Sequence, residues 1–274
     1  MNISMNFKGK LSSITKENNS LLCVGLDIDK EKVPKFLFKT SKTPLLDFNK
    51  SIIDSTKDIV CSYKLNMAFY ESMGEKGYVL LEKTIKYIPK NVVIILDGKR
   101  NDIGNTAHKY AQALFETLKA DATTINPYLG YDSIEPFLKY KNKCNFILCR
   151  TSNPSANDLQ DLLIQKTPLY LRVAQNIKKW NKNDNCGLVA GATYPKDIKK
   201  IREIVGGEIP FLIPGIGKQG GDLQKSVKYG TNKEGENAII VSSRSIIYAG
   251  KDKDFTQKSR KKALFLKNEI NKYR

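Results

Sequence analysis

The chain has 274 residues, 41% hydrophobic and 27% charged, enough to bury a sizeable core in an ordinary globular protein. No apolar run is long enough to span a bilayer and MNISMNFKGKL lacks the apolar heart of a secretory signal, so a cytoplasmic location is the expectation. The net charge of +18 favours anionic ligands, but the Lys residues are spread along the chain and no basic stripe with interleaved aromatics stands out, which argues against a nucleic-acid partner.

In chain order, LLCVGLD (21–27) is an apolar run ending in Asp27, and PLLDFNKSIIDSTKDIV (44–60) has helical periodicity. CSYKLNMAFY (61–70) returns to strand character and carries Lys64 and Asn66. GYVLLEKTIKYI (77–88) reads as a helix with Pro89 just past its end. VVIILDGK (92–99) is a β-branched run of the kind buried on both faces of a parallel sheet. Gly104 with Asn105 and Thr106 then offers a turn and a helix cap before HKYAQALFETLK (108–119).

ATTINPY (122–128) is the fourth strand, DSIEPFLKY (132–140) a short helix and NFILCR (145–150) the fifth strand. TSNPSANDLQDLL (151–163) reads as a long loop, and TPLYLRVAQNIKKW (167–180) as a helix opened by Thr167 and Pro168. CGLVAGAT (186–193), IPFLIPGIG (209–217) and NAIIVSSR (237–244) are strands six to eight. Helices 194–205 and 222–230 lie between them, the second closed by Gly230, and an amphipathic helix fills 254–274. Eight apolar strands alternating with helices, with no linker or repeat, predict one domain over 1–274 with the (β/α)₈ TIM-barrel fold. A doubly wound open sheet would advertise a Gly-rich fingerprint after its first strand, and VGLDID is not one.

In a barrel the loops after the strands converge on one face, so Asp27, Lys64, Asp97, Lys99, Asp102, Thr151, Ser152, Gln219 and Arg244 should meet. An alternating Asp/Lys cluster can hold a Lys as a positioned ammonium acid. PGIGKQGGD (214–222) with Arg244 suits a phosphate held by backbone N–H groups and one cation. Asp97 with Asp102 has the chemistry for Mg²⁺, but Lys99 between them already supplies the positive charge. The five cysteines form no C-x-x-C pair and read as reduced, buried apolar residues, and the lone His108 sits on a predicted helix.

DGKRNDIGNT resembles the D-x-K-x-x-D-I-x-N-T signature of the orotidine 5′-phosphate decarboxylase family. GLDID, YKLNMAFYE, TSNPSA, GLVAGAT, PGIGKQGGD and SSRSI resemble that family's other strand ends, in order and with the spacing of its longer-loop branch. The resemblance implies decarboxylation of orotidine 5′-monophosphate to UMP, the last step of pyrimidine synthesis, with no cofactor and no metal. It implies that Lys99 protonates C6, that Asp97 lies by the substrate carboxylate, and that Lys64 joins the charged network and contacts the ribose with Asp27. Asn66 falls among the substrate-binding positions. Asp102, with Ile103 and Thr106 beside it, would reach into the neighbouring subunit's site, implying a homodimer with shared sites. Ser152 or Thr151 would bond the pyrimidine edge, and Gln219 and Arg244 would hold the phosphate. The competing reading is a Mg²⁺-dependent sugar-phosphate decarboxylase or synthase on the same barrel.

Overall fold

A computed structural model of the chain describes residues 5–217 and 220–274. The eight expected apolar runs form strands β1 (Leu22–Gly25), β2 (Ser62–Asn66), β3 (Val93–Arg100), β4 (Ala122–Ile125), β5 (Cys144–Arg150), β6 (Cys186–Ala190), β7 (Phe211–Ile213) and β8 (Ala238–Ser242). They pair in parallel with their sequence neighbours, and β8 pairs with β1 to close the barrel. Every residue of β1, β4, β6, β7 and β8 is buried, because helices cover the outside while side chains fill the inside. This is the (β/α)₈ fold that the strand pattern predicts, with one contiguous hydrophobic core.

Register brings the strand ends together. Gly25 pairs with Lys64, and Asn66 with Asp97, so the ends of three strands reach the same rim. Helix α1 (Phe7–Glu17), which the strand-and-helix pattern of the sequence did not reveal, packs at the opposite end. It is capped by Asn6, buries Phe7, Leu11 and Ile14, and ties Lys10 to Asp121 at 2.6 Å.

Several local expectations give way to tertiary context. The run 61–70 is not one strand: β2 stops at Asn66, whose Oδ1 accepts the Ala68 N–H at 3.2 Å and starts a helix, Met67–Glu71. The helix after β3 begins at Gly104 (φ +53°) with Ile103 in the cap position, so Asn105 and Thr106 lie in its first turn rather than capping it. Its last turn, Ala113–Thr117, is π-helical. Thr167 does not cap the next helix, and Pro168 sits at its cap position rather than in its first turn. They pair with Leu163–Ile164 in a two-residue antiparallel ribbon, and the helix runs Leu169–Trp180. Gly230 is the last helical residue of Leu223–Gly230, not a left-handed cap beyond it, and a side chain there would collide with Ile213 Cδ1. The helix Lys35–Thr40 also lacked a sequence signal.

All five cysteines are buried and free, and burial pushes the Cys61 and Cys186 thiols up to about 12. Among the described residues no helix is long and apolar enough to cross a membrane.

Candidate active site

The carboxyl ends of the strands enclose a cavity of about 490 Å³, within the usual range for small-ligand sites. Asp27, Lys64, Asn66, Asp97, Lys99, Thr151, Ser152 and Arg244 all line it. Leu148, Val189, Leu212 and Val241 form its apolar floor.

The polar centre is a chain of alternating charges. Lys64 Nζ lies 3.5 Å from Asp27 Oδ1 and 2.9 Å from Asp97 Oδ2, and Lys99 Nζ lies 2.6 Å from Asp97 Oδ1. Burial opposes the charge on Asp97, but the Lys64 and Lys99 ammoniums outweigh it and hold the carboxyl well below its usual range. Burial likewise opposes the charge on Lys64, and the Asp97 and Asp27 carboxylates outweigh it and raise its pKa. Both groups are therefore charged at neutral pH. Asp27 Oδ1 is buried and makes no hydrogen bond among the described residues; its one charged neighbour there is the Lys64 ammonium. The backbone under Asp27 is fixed from behind: Tyr70 Oη donates to the Leu26 carbonyl at 2.9 Å, and Tyr248 Oη to the Asp27 carbonyl at 3.0 Å.

The two neighbouring hydroxyls after β5 are not equivalent. Thr151 Oγ1 donates to Asn153 Oδ1 at 2.6 Å and accepts from Gln160 Nε2 at 2.7 Å. Ser152 Oγ takes part in none of the side-chain hydrogen bonds among the described residues, which leaves it available to a ligand. Arg150 anchors this segment. Its guanidinium is 3% exposed, pairs with Asp161 at 2.9 Å and Asp197 at 3.0 Å, and stacks 4.0 Å from the Tyr194 ring centroid. On the far side, Gly215 (φ +101°) and Gly217 (φ +97°) turn the backbone after β7 in a way that only glycine adopts freely. Arg244 is exposed at the mouth and makes no ion pair among the described residues.

A family model, described as "Orotidine 5'-phosphate decarboxylase / HUMPS family", matches residues 20–258. The chain belongs to that family. Orotidine 5'-phosphate decarboxylase from Cellvibrio japonicus is 49% identical over 97% of this chain and 98% of its own length. The Leishmania donovani OMP decarboxylase structure superimposes with a TM-score of 0.83 at 35% identity, over 97% of this chain and 99% of that one. The Leishmania donovani UMP synthase structure aligns with a TM-score of 0.88 at 37% identity, over 98% of this chain; the chain spans 56% of that longer protein.

Within this orotidine 5′-phosphate decarboxylase / HUMPS family barrel, not every expected residue reaches the cavity. Asp102, Ile103 and Thr106 lie outside it: Asp102 Oδ1 accepts the Ile103 N–H at 2.8 Å, and Ile103 is 56% exposed. Gln219 lies outside the described residues. His108 is exposed on its helix. Thr124, which sequence reasoning passed over, lines the cavity and bonds both Asp97 and Lys99. Its signal was one of two adjacent hydroxyls, Thr123 and Thr124, in a short strand, which is too common to single out.

Proposed function

We propose that the protein decarboxylates orotidine 5′-monophosphate to UMP and CO₂, the closing step of de novo pyrimidine biosynthesis. The observation that carries this reading is the Asp27–Lys64–Asp97–Lys99 array on one wall of the cavity, largely shielded from solvent at Asp27, Lys64 and Asp97 and open at Lys99. In the proposed reaction the bond from C6 to the carboxylate breaks, CO₂ leaves and the electron pair stays on C6. A proton from Lys99 Nζ then completes the C6–H bond, and Lys99 recovers a proton from water.

That carbanion has little delocalisation, so acceleration near the upper enzymatic range, roughly 10¹⁷-fold or about 23 kcal/mol, is demanded of the site. Lys99 supplies a fixed positive charge beside C6. Asp97, kept charged by two ammoniums, faces the substrate carboxylate and favours its loss. Asp27 and Lys64 offer an acceptor and a donor to the ribose hydroxyls, and Asn66 lies on the same rim. Ser152 suits the pyrimidine edge better than Thr151, whose hydroxyl is already engaged. The turn at Gly215–Gly217 with Gln219 and Arg244 would hold the phosphate, whose binding energy can organise the site from a distance.

Asp102, Ile103 and Thr106 would complete the cavity of a neighbouring subunit in a homodimer, which accounts for their position outside their own. The exposed Ile103 side chain supports that reading. We further read residues 1–274 as a single domain acting in the cytoplasm. The Mg²⁺-dependent alternative is weakened because both Asp97 oxygens are already taken by ammonium groups.

Ultraviolet absorbance of orotidine 5′-monophosphate with the purified protein tests the proposal. Loss of the orotate chromophore that EDTA does not affect and Lys99→Ala abolishes is expected. Loss that EDTA stops would move the chemistry to a metal, and no turnover would overturn the assignment.

A further inference from the structure

Lys99 has a left-handed backbone, φ +47°, which a side chain other than glycine rarely adopts. It sits where the pairing of β3 with β4 shifts register between Leu96 and Arg100, so the regular ladder is interrupted at this point. Thr124, on β4 and 1% exposed, fills the gap. Its Oγ1 accepts the Lys99 backbone N–H at 2.9 Å and donates to Asp97 Oδ1 at 2.8 Å. The same Asp97 oxygen receives Lys99 Nζ at 2.6 Å. A closed ring results, running from the Lys99 amide through the Thr124 hydroxyl and the Asp97 carboxylate back to the Lys99 ammonium.

The direction of each bond is dictated by chemistry. An amide N–H can only donate, an ionised carboxylate can only accept, and a hydroxyl does one of each. Thr124 therefore has one orientation available, and that orientation couples the Lys99 backbone to the oxygen its side chain grips.

We infer that Thr124 is a positioning residue for the proton donor: its hydroxyl holds the Lys99 backbone turn and the Asp97 carboxylate in one rigid frame, so that Nζ stays beside the reacting carbon. The inference rests on the decarboxylase reading and assigns a role in it to a residue whose hydroxyl is taken up by Lys99 and Asp97. It also explains a polar side chain buried in the wall of the barrel. Without the hydroxyl, the Lys99 N–H would lose its partner and Asp97 Oδ1 would lose one of its two.

The test compares Thr124→Val, which keeps the volume but removes the hydroxyl, with Thr124→Ser, which keeps it. Misplacement of a reacting group by about 1 Å costs on the order of 100-fold. The kcat of Thr124→Val should fall by about that factor, with KM and UMP affinity unchanged, and Thr124→Ser should recover to within a few-fold. Hydrogen exchange of peptides covering 97–101 gives a readout independent of turnover. Exchange at the Lys99 amide should quicken in the Val variant and stay slow in the Ser variant. Unchanged exchange, unchanged kcat, or loss of UMP binding together with kcat would each overturn the inference. A wild-type protein without decarboxylase activity would instead remove the underlying reading, and that outcome is visible before any variant is made.

Discussion

Replacing Lys64 with Met removes one ammonium from the centre of the array and retains most of its volume. That ammonium is 6% exposed, 2.9 Å from one carboxylate and 3.5 Å from another. At an effective dielectric constant of about 20 those separations correspond to gross attractions of roughly 6 and 5 kcal/mol. Most of this offsets the cost of taking the ammonium out of water. Removing one member of a buried pair typically costs about 3–5 kcal/mol, and the lower end applies because Lys99 still neutralises Asp97. A loss of about 3 kcal/mol should lower Tm by roughly 6–12 °C in a chain of this size. The depressed Asp97 pKa contributes stability that is present above its unfolded value of 3.8 and lost as pH falls through the folded value. Lys64 supports much of that depression, so the Tm gap between wild type and variant should be widest near pH 7 and narrow below about pH 4. Calorimetry across pH reads both quantities, and kcat/KM should drop by at least about 100-fold in parallel. A shift under 2 °C at pH 7, or one independent of pH, would refute the reasoning.

Arg244→Ala should lower kcat/KM by about 10- to 100-fold although the guanidinium touches no reacting atom; unchanged steady-state kinetics would remove it from the phosphate site. Gly191→Ala places a Cβ 2.8 Å from the Ser152 backbone nitrogen, so it should cost about 1–3 kcal/mol and raise KM by displacing Ser152. Wild-type Tm and KM in that variant would contradict the close approach. Ile103→Asp should convert the proposed dimer to monomers and abolish turnover; sedimentation showing monomers with full activity would sink the shared-site reading.

Much of the architecture was readable because it depends on local composition. β-Branched apolar runs such as VVIIL suit strands buried on both faces, and eight of them separated by helical stretches leave few topologies. The residues that line the cavity were readable for a related reason: a charged residue directly after such a run has to emerge at the rim, as Asp27, Asp97 and Arg244 do. The family resemblance pointed to the same positions: Asp97 through DGKRNDIGNT, Asp27 through GLDID and Arg244 through SSRSI.

Only the tertiary structure decided which partner each polar group and short segment takes, near in sequence or far. Residues 67–71 turn from strand to helix because Asn66 caps them, and Thr167–Pro168 is taken by a ribbon with Leu163–Ile164. The competition between Thr151 and Ser152 is resolved by Asn153 and Gln160, whose bonds exist only once the loop folds. Arg150 ends a run like any other, yet Asp161 and Asp197 make it the anchor of the cavity's edge. The left-handed turn at Lys99 donates its N–H to the Thr124 hydroxyl of the adjacent strand. Hydrophobic periodicity is a property of consecutive residues and places strands and rims, whereas partners for hydrogen bonds and charges come from segments that meet only when the barrel closes.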